Sequence, residues 1–217
     1  MPNLKIINKI VDCGLVPVVR AASADEAVAV AEAIAAGGVS ILEITMTVPG
    51  AIKAIERVVD RHGKKILVGA GTVLDPETAR ACILAGAEFI VTPSLKVPTI
   101  EMCKRYSKVI IPGALTPTEV VTAWEAGSDF VKVFPCDNVG GAKYIKALKG
   151  PFPQIDLIPT GGVNVNTAAE FLAAGATALA VGSELVDKAA VAAKDFGKIT
   201  ENARKFMEVV KSVRLNS

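Results

Sequence analysis

The chain has 217 residues, 51% of them hydrophobic and only 5% aromatic, and carries a net charge of +2. That apolar content suffices for one sizeable core, and the length suits a single domain spanning 1–217. Basic residues are spread along the chain instead of forming a patch, so no nucleic-acid partner is expected.

Cys13, Cys82, Cys103 and Cys136 stand far apart without a C-x-x-C pair, and the single histidine, His62, lies in the polar run 61–65. Zinc needs several such ligands in a defined cluster, so no metal site is expected. The opening MPNLKIINKIVDCG reads as an amphipathic helix and not as a signal peptide. No apolar run approaches the roughly 20 residues that span a bilayer. No membrane partner is expected, and a reducing cytoplasm is the inferred location.

In chain order, the N-terminal helix leads to a predicted strand at Val16–Arg20 and a helix at Ala24–Ala36. A strand at Ile41–Met46 precedes a helix at Pro49–Arg61, and one at Ile66–Gly69 precedes Pro76–Ala85. Strands follow at Phe89–Thr92 and Val109–Ile111, the latter before a helix at Thr118–Ala126. The last three strands are Phe130–Phe134, Leu157–Pro159 and Ala178–Val181, closed by a helix at Phe196–Val213. Gly37-Gly38, Gly86, Gly127 and Gly175 sit where left-handed helix stops belong. Eight strand–helix units at a period of about 20–25 residues predict an α/β chain folded as a (β/α)₈ TIM barrel with an additional N-terminal helix. The rival, an open doubly wound sheet, lacks its G-x-G-x-x-G after the first strand.

Barrel chemistry sits at the C-terminal ends of the strands. Lys132 interrupts the apolar run FVKVFP, and alternation points it inward between Val131 and Val133. Poor solvation there lowers an amine's pKa and frees the nucleophile that forms imines. The alternative is a lysine that snorkels to the rim or pairs structurally with a carboxylate. Glu43, in ILEITMT, faces inward with Thr45 and suits proton transfer or mere neutralisation of Lys132 or Arg20. Arg20, at the end of VPVVR, is either a fork for a carboxylate or a rim arginine in water.

Thr160-Gly161-Gly162 and Gly182-Ser183 follow the seventh and eighth strands, the usual phosphate site of this architecture. Their backbone N–H groups and the Ser183 hydroxyl suit a phosphate, unless the glycines only make tight turns. Thr72, after Gly69-Ala70-Gly71, either bonds a substrate oxygen or caps the next helix.

The stretches GGVSILEITMTVPGA, VGAGTVLDPE, FIVTPSL, IIPGALTPTE, FVKVFP, KALKGPFPQI, PTGGVN and AVGSELV, in this order and spacing, resemble the 2-keto-3-deoxy-6-phosphogluconate aldolase family over nearly the whole chain. The resemblance implies a class I aldolase without metal or organic cofactor. It implies Lys132 as the Schiff-base lysine, Glu43 as general acid/base, Thr72 as a contact to the keto acid, Thr160, Gly161 and Gly162 at the substrate end, and Gly182 and Ser183 at the phosphate. It implies reversible cleavage of 2-keto-3-deoxy-6-phosphogluconate to pyruvate and glyceraldehyde 3-phosphate, with 4-hydroxy-2-oxoglutarate as a second substrate, and a homotrimer as the working unit. Some members carry an arginine four residues after the glutamate to bind the pyruvate carboxylate; here that position is Thr47, and Arg20 is the expected replacement.

Two other readings stand beside this one. A non-covalent phosphate-sugar barrel, such as an epimerase or a thiamine-phosphate-synthase-like enzyme, would share the glycine loops but needs a metal or diphosphate set not found in the sequence. A catalytically silent barrel that binds a sugar acid would leave the inward lysine and glutamate coincidental.

Overall fold

The computed structural model describes residues 2–215. Helix α1 (Pro2–Cys13) precedes β1 (Leu15–Val19), α2 (Ala24–Ala36), β2 (Ile41–Thr45), α3 (Ala51–His62), β3 (Leu67–Gly71) and α4 (Pro76–Leu84). Then come β4 (Phe89–Val91), α5 (Val97–Arg105), β5 (Val109–Ile111), β6 (Gly113–Ala114), α6 (Pro117–Glu125) and β7 (Val131–Val133). The chain continues through α7 (Ala142–Lys149), β8 (Leu157–Pro159), α8 (Ala168–Ala173), β9 (Leu179–Val181), α9 (Lys188–Ala192) and α10 (Phe196–Leu215). All eight predicted strands are present, with two shifts that matter. Arg20 lies just beyond β1, and β3 runs on to Gly71 instead of stopping at Gly69.

The strands pair in parallel, as alternating strands and helices require. They divide into two sheets, β5-β4-β3-β2-β1-β9 and β6-β7-β8, and not into the uninterrupted ring that the sequence predicts. Pro112 explains one seam, because it has no N–H to give to the ladder. The next N–H, from Gly113, leaves the strand pattern and donates to the Thr92 hydroxyl at 3.1 Å. The Pro112 carbonyl still accepts from Lys132 N at 2.9 Å, which ties the fifth strand to β7 across the kink. At the other seam, Thr160, just after β8, forms an isolated bridge with Ala180 of β9, and Thr177 N donates to the Leu157 carbonyl at 2.9 Å.

Val, Ile, Leu and Ala fill both faces of the strands, which are covered throughout. The loops at the C-terminal strand ends are pinned by helix N-caps. Ser23 accepts from Glu26 N, Asp75 from Thr78 N at 2.6 Å, and Asp187 from Ala190 N at 2.7 Å. Thr116 and Glu119 form a reciprocal capping box. Each such cap contributes about 1 kcal/mol and fixes the entry angle of its helix. The rim that would carry a site is thereby held stiff.

Candidate active site

Lys132, midway along β7, lies opposite Gly113 on one side and Ile158 on the other. It is only 6% exposed. Among the described residues no carboxylate approaches its Nζ within 4.0 Å. Burial pushes the amine below the usual lysine range; Glu43 opposes that shift and Arg20 adds to it. Phe134 presents an aromatic face, with its ring centre 5.2 Å from Nζ. Such a face favours a cation over a neutral group, so it suits an iminium formed at this nitrogen.

Glu43, midway along β2, is 1% exposed and sits between Val18 of β1 and Gly69 of β3. Neither carboxyl oxygen has a hydrogen-bond partner among the described residues. Desolvation raises its pKa, against the pull of Lys132 and then of Arg20. Room for the carboxyl comes from Gly71, where an added Cβ would stand 2.7 Å from the Glu43 carboxyl carbon. Gly71 is thus a site residue that the sequence reading passed over. Glycines two apart on one strand place two vacancies on the same face, a signal that something large enters from a neighbouring strand.

Burial raises the acid and lowers the amine, so both shifts favour a neutral carboxyl beside a neutral amine. Both shifts run in the direction that suits a nucleophilic amine and a proton-donating acid. Arg20 acts electrostatically on both, though its own side chain is exposed. Its guanidinium reaches Gly182, where an added Cβ would stand 3.0 Å from Nη1. Strands β2 and β7 and the loops after β1 and β9 thus bring Glu43, Lys132, Arg20 and Gly182 together.

Thr160 is 8% exposed, and its hydroxyl has no hydrogen-bond partner, while its backbone joins Val133 O and Cys136 N at 2.9 Å each. A buried, unpaired hydroxyl next to the strand of Lys132 is available to a ligand. Thr72 has φ of +56°, a rare conformation for a β-branched residue, directly after Gly71. It caps nothing; Asp75 is the cap of α4. Gly161 and Gly162 take φ of +100° and +71°, and side chains there would collide with Asp137. Packing alone therefore demands glycine at both positions, with or without an anion. Gly182 is half-buried and Ser183 exposed on the next loop.

His62 ends α3, with Nε2 3.4 Å from Glu32. No group of His, Cys, Asp and Glu that could hold a metal occurs among the described residues. No helix among them is long and apolar enough to cross a membrane. A cavity of about 910 Å³ lies between α1 and the N-terminal ends of β3–β5, lined in part by Ile6, Leu67, Tyr106 and Lys108. None of the site residues lines it, so size does not locate the chemistry.

Residues 6–202 match the family model described as "KDPG and KHG aldolase". The chain belongs to that aldolase family. A KHG/KDPG aldolase of Escherichia coli is 35% identical over 91% of this chain and 92% of its own length. A KDPG aldolase of Legionella pneumophila, solved with pyruvate captured as a covalent carbinolamine, superposes with a TM-score of 0.86 at 30% identity, covering 94% of this chain and 97% of that one. A cube-shaped protein cage, designed by fusing symmetric oligomeric domains, gives a TM-score of 0.86 at 32% identity over 94% of this chain and 74% of that one. As a member of this aldolase family the chain is a carbon–carbon lyase, which displaces both rival readings of the sequence.

Proposed function

We propose that this chain is a class I aldolase that reversibly cleaves 2-keto-3-deoxy-6-phosphogluconate to pyruvate and glyceraldehyde 3-phosphate, and 4-hydroxy-2-oxoglutarate to pyruvate and glyoxylate. The observation that carries it is Lys132: a lysine buried in a strand, without a carboxylate at its nitrogen, and pushed towards the free amine. The carbinolamine captured in the Legionella relative supports the same chemistry here.

In this reading Lys132 attacks the C2 ketone, and Glu43 gives its proton to the departing hydroxyl as water leaves. The iminium then accepts the electrons of the C3–C4 bond while the Glu43 carboxylate takes the proton of the C4 hydroxyl. Glyceraldehyde 3-phosphate departs, and Glu43 returns that proton to C3 of the enamine. Glu43 takes a proton from the water that attacks the resulting iminium, and collapse of that carbinolamine releases pyruvate and the free lysine with Glu43 protonated again. Both shifts run in the direction these steps need, a freer amine at Lys132 and a carboxyl at Glu43 that holds its proton more tightly. The desolvation that costs stability at rest becomes useful once the iminium charge stands beside the carboxylate.

Arg20 is assigned to the keto-acid carboxylate, with Thr72 and the unpaired Thr160 hydroxyl on the oxygens between the two ends of the substrate. Gly161, Gly162, Gly182 and Ser183 are assigned to the phosphate. The two sheets are read as one closed eight-stranded barrel in a single domain, supported by the Thr160–Ala180 bridge and by the Lys132–Pro112 bond across the kink. The working unit is proposed to be a cytoplasmic homotrimer, in line with the oligomeric domain of the designed cage.

The test is pyruvate release from the two substrates, measured with wild type and Ser183→Ala. Both substrates should be cleaved by the wild type. The variant loses a hydrogen bond to a charged group, worth about 1.5–3 kcal/mol, and should be impaired only with the phosphorylated substrate. No pyruvate from either substrate contradicts the function. Equal losses on both return Ser183 to a structural part of the rim.

A further inference from the structure

We infer that Thr47 and Thr45 form a hydroxyl relay that fixes where Arg20 leaves the first strand, so that Thr47 positions the clamp for the keto-acid carboxylate without touching the substrate. The inference deepens the proposed role of Arg20 and rests on it.

Thr45 ends β2 and is buried, and its hydroxyl lies 3.2 Å from the Val19 carbonyl. Val19 ends β1. The Thr45 and Thr47 hydroxyls are 2.7 Å apart. A carbonyl can only accept, so Thr45 must spend its one proton on Val19. Thr47 is then the donor in the short contact, and the direction of the relay is settled from the exposed Thr47 through Thr45 to Val19.

The acceptor is not a remote carbonyl. Val19 C=O belongs to the peptide unit whose nitrogen is that of Arg20. Arg20 is the first residue outside β1, where the ladder no longer holds the backbone. A small rotation of that peptide swings a long side chain whose guanidinium must stop against Gly182 and act on both Lys132 and Glu43. Val19 pairs with Ile44 across the ladder, and the relay adds a second tie from the same strand just beyond that pair. The position after the glutamate that carries an arginine in some members of the family thus acts here through Arg20.

The test compares Thr47→Val, Thr47→Ser and Arg20→Ala, and combines Thr47→Val with Arg20→Ala. Valine keeps the shape and removes the donor, whereas serine keeps the donor. Thr47 is exposed, so none of these changes should unfold the chain. Thr47→Val is expected to raise KM for 4-hydroxy-2-oxoglutarate by about 2- to 10-fold, the range of one neutral hydrogen bond. Its kcat should stay within about twofold of wild type, since binding and not chemistry is affected. Thr47→Ser should restore KM, and Thr47→Val should add nothing once Arg20 is alanine. A silent Thr47→Val, a serine variant as impaired as the valine, or multiplicative losses in the double variant each overturn the relay while leaving the clamp intact. An Arg20→Ala variant with unchanged KM overturns the clamp, and the relay with it.

Discussion

At the N-terminal ends of β4 and β5, Lys108 bonds Glu88 at 2.9 Å, and Lys104 of α5 bonds Asp129, ahead of β7, at 2.8 Å. The second oxygen of Asp129 takes the Ile110 N–H at 3.0 Å, so this carboxylate is fully used. Midway along β2 and β7 the same residue types stand under opposite conditions. Among the described residues Glu43 has no hydrogen-bond partner and Lys132 no ion pair, and burial drives each towards its neutral form. Charges at one end of the strands hold the fold, and charges inside it are kept from doing so. Unsatisfied buried ionisable groups destabilise a protein unless something else is gained. Their presence in an otherwise fully packed sheet is what the proposed role of the pair accounts for.

The sharpest way to break that contrast is Glu43→Gln, which keeps shape and removes proton exchange. Turnover should fall by about 10²–10⁴. Stability should move the other way, with a sign fixed by linkage. The folded-state pKa of Glu43 is raised, so its favourable protonation is fully present below the ordinary glutamate value of 4.5 and is lost as pH rises through the higher folded value. The glutamine variant should therefore gain on the wild type across that rise in melting experiments at stepped pH. A variant that melts lower than wild type at neutral pH while retaining turnover would make Glu43 structural.

A smaller effect is expected from paired stability measurements. Asp129→Ala should lower stability by about 1–3 kcal/mol, because it strands the Ile110 N–H and the Lys104 ammonium. Lys132→Met should leave stability unchanged or raised, since it removes a desolvated amine without breaking an ion pair. Denaturant titration of both variants checks this. A loss for Lys132→Met equal to that of Asp129→Ala would erase the distinction between the two regions.

The same contrast explains what was legible in the sequence. Lys132 and Glu43 stood out because period-two alternation is local, and an ionisable residue inside an apolar strand violates it within a few positions. The eight predicted strands were legible as short apolar runs between helical patterns, whereas the two-residue strand Gly113–Ala114 beyond Pro112 was not. What stayed hidden depends on contacts between distant segments. Gly71 makes room for a side chain 28 positions earlier, and Arg20 reaches Gly182 on the last strand's loop. The seam at Pro112 needs the Thr92 hydroxyl to receive the Gly113 N–H. Phe134 could have been noted as the residue two places after the lysine, but only the fold brings its ring to Nζ. The glycine pair 161–162 read as a phosphate cradle, whereas its packing against Asp137 already accounts for both residues. Glycine reports that space is needed and does not say for what.

The central claim is that Lys132 is the amine that forms the imine. Incubation with pyruvate and borohydride, followed by peptide mass analysis, tests it most directly. The account predicts one reduced pyruvyl group per chain, on the peptide that contains Lys132, and none on Lys132→Met. An adduct on another lysine, such as Lys96, Lys143 or Lys146, or undiminished labelling of the Lys132→Met variant, would contradict it.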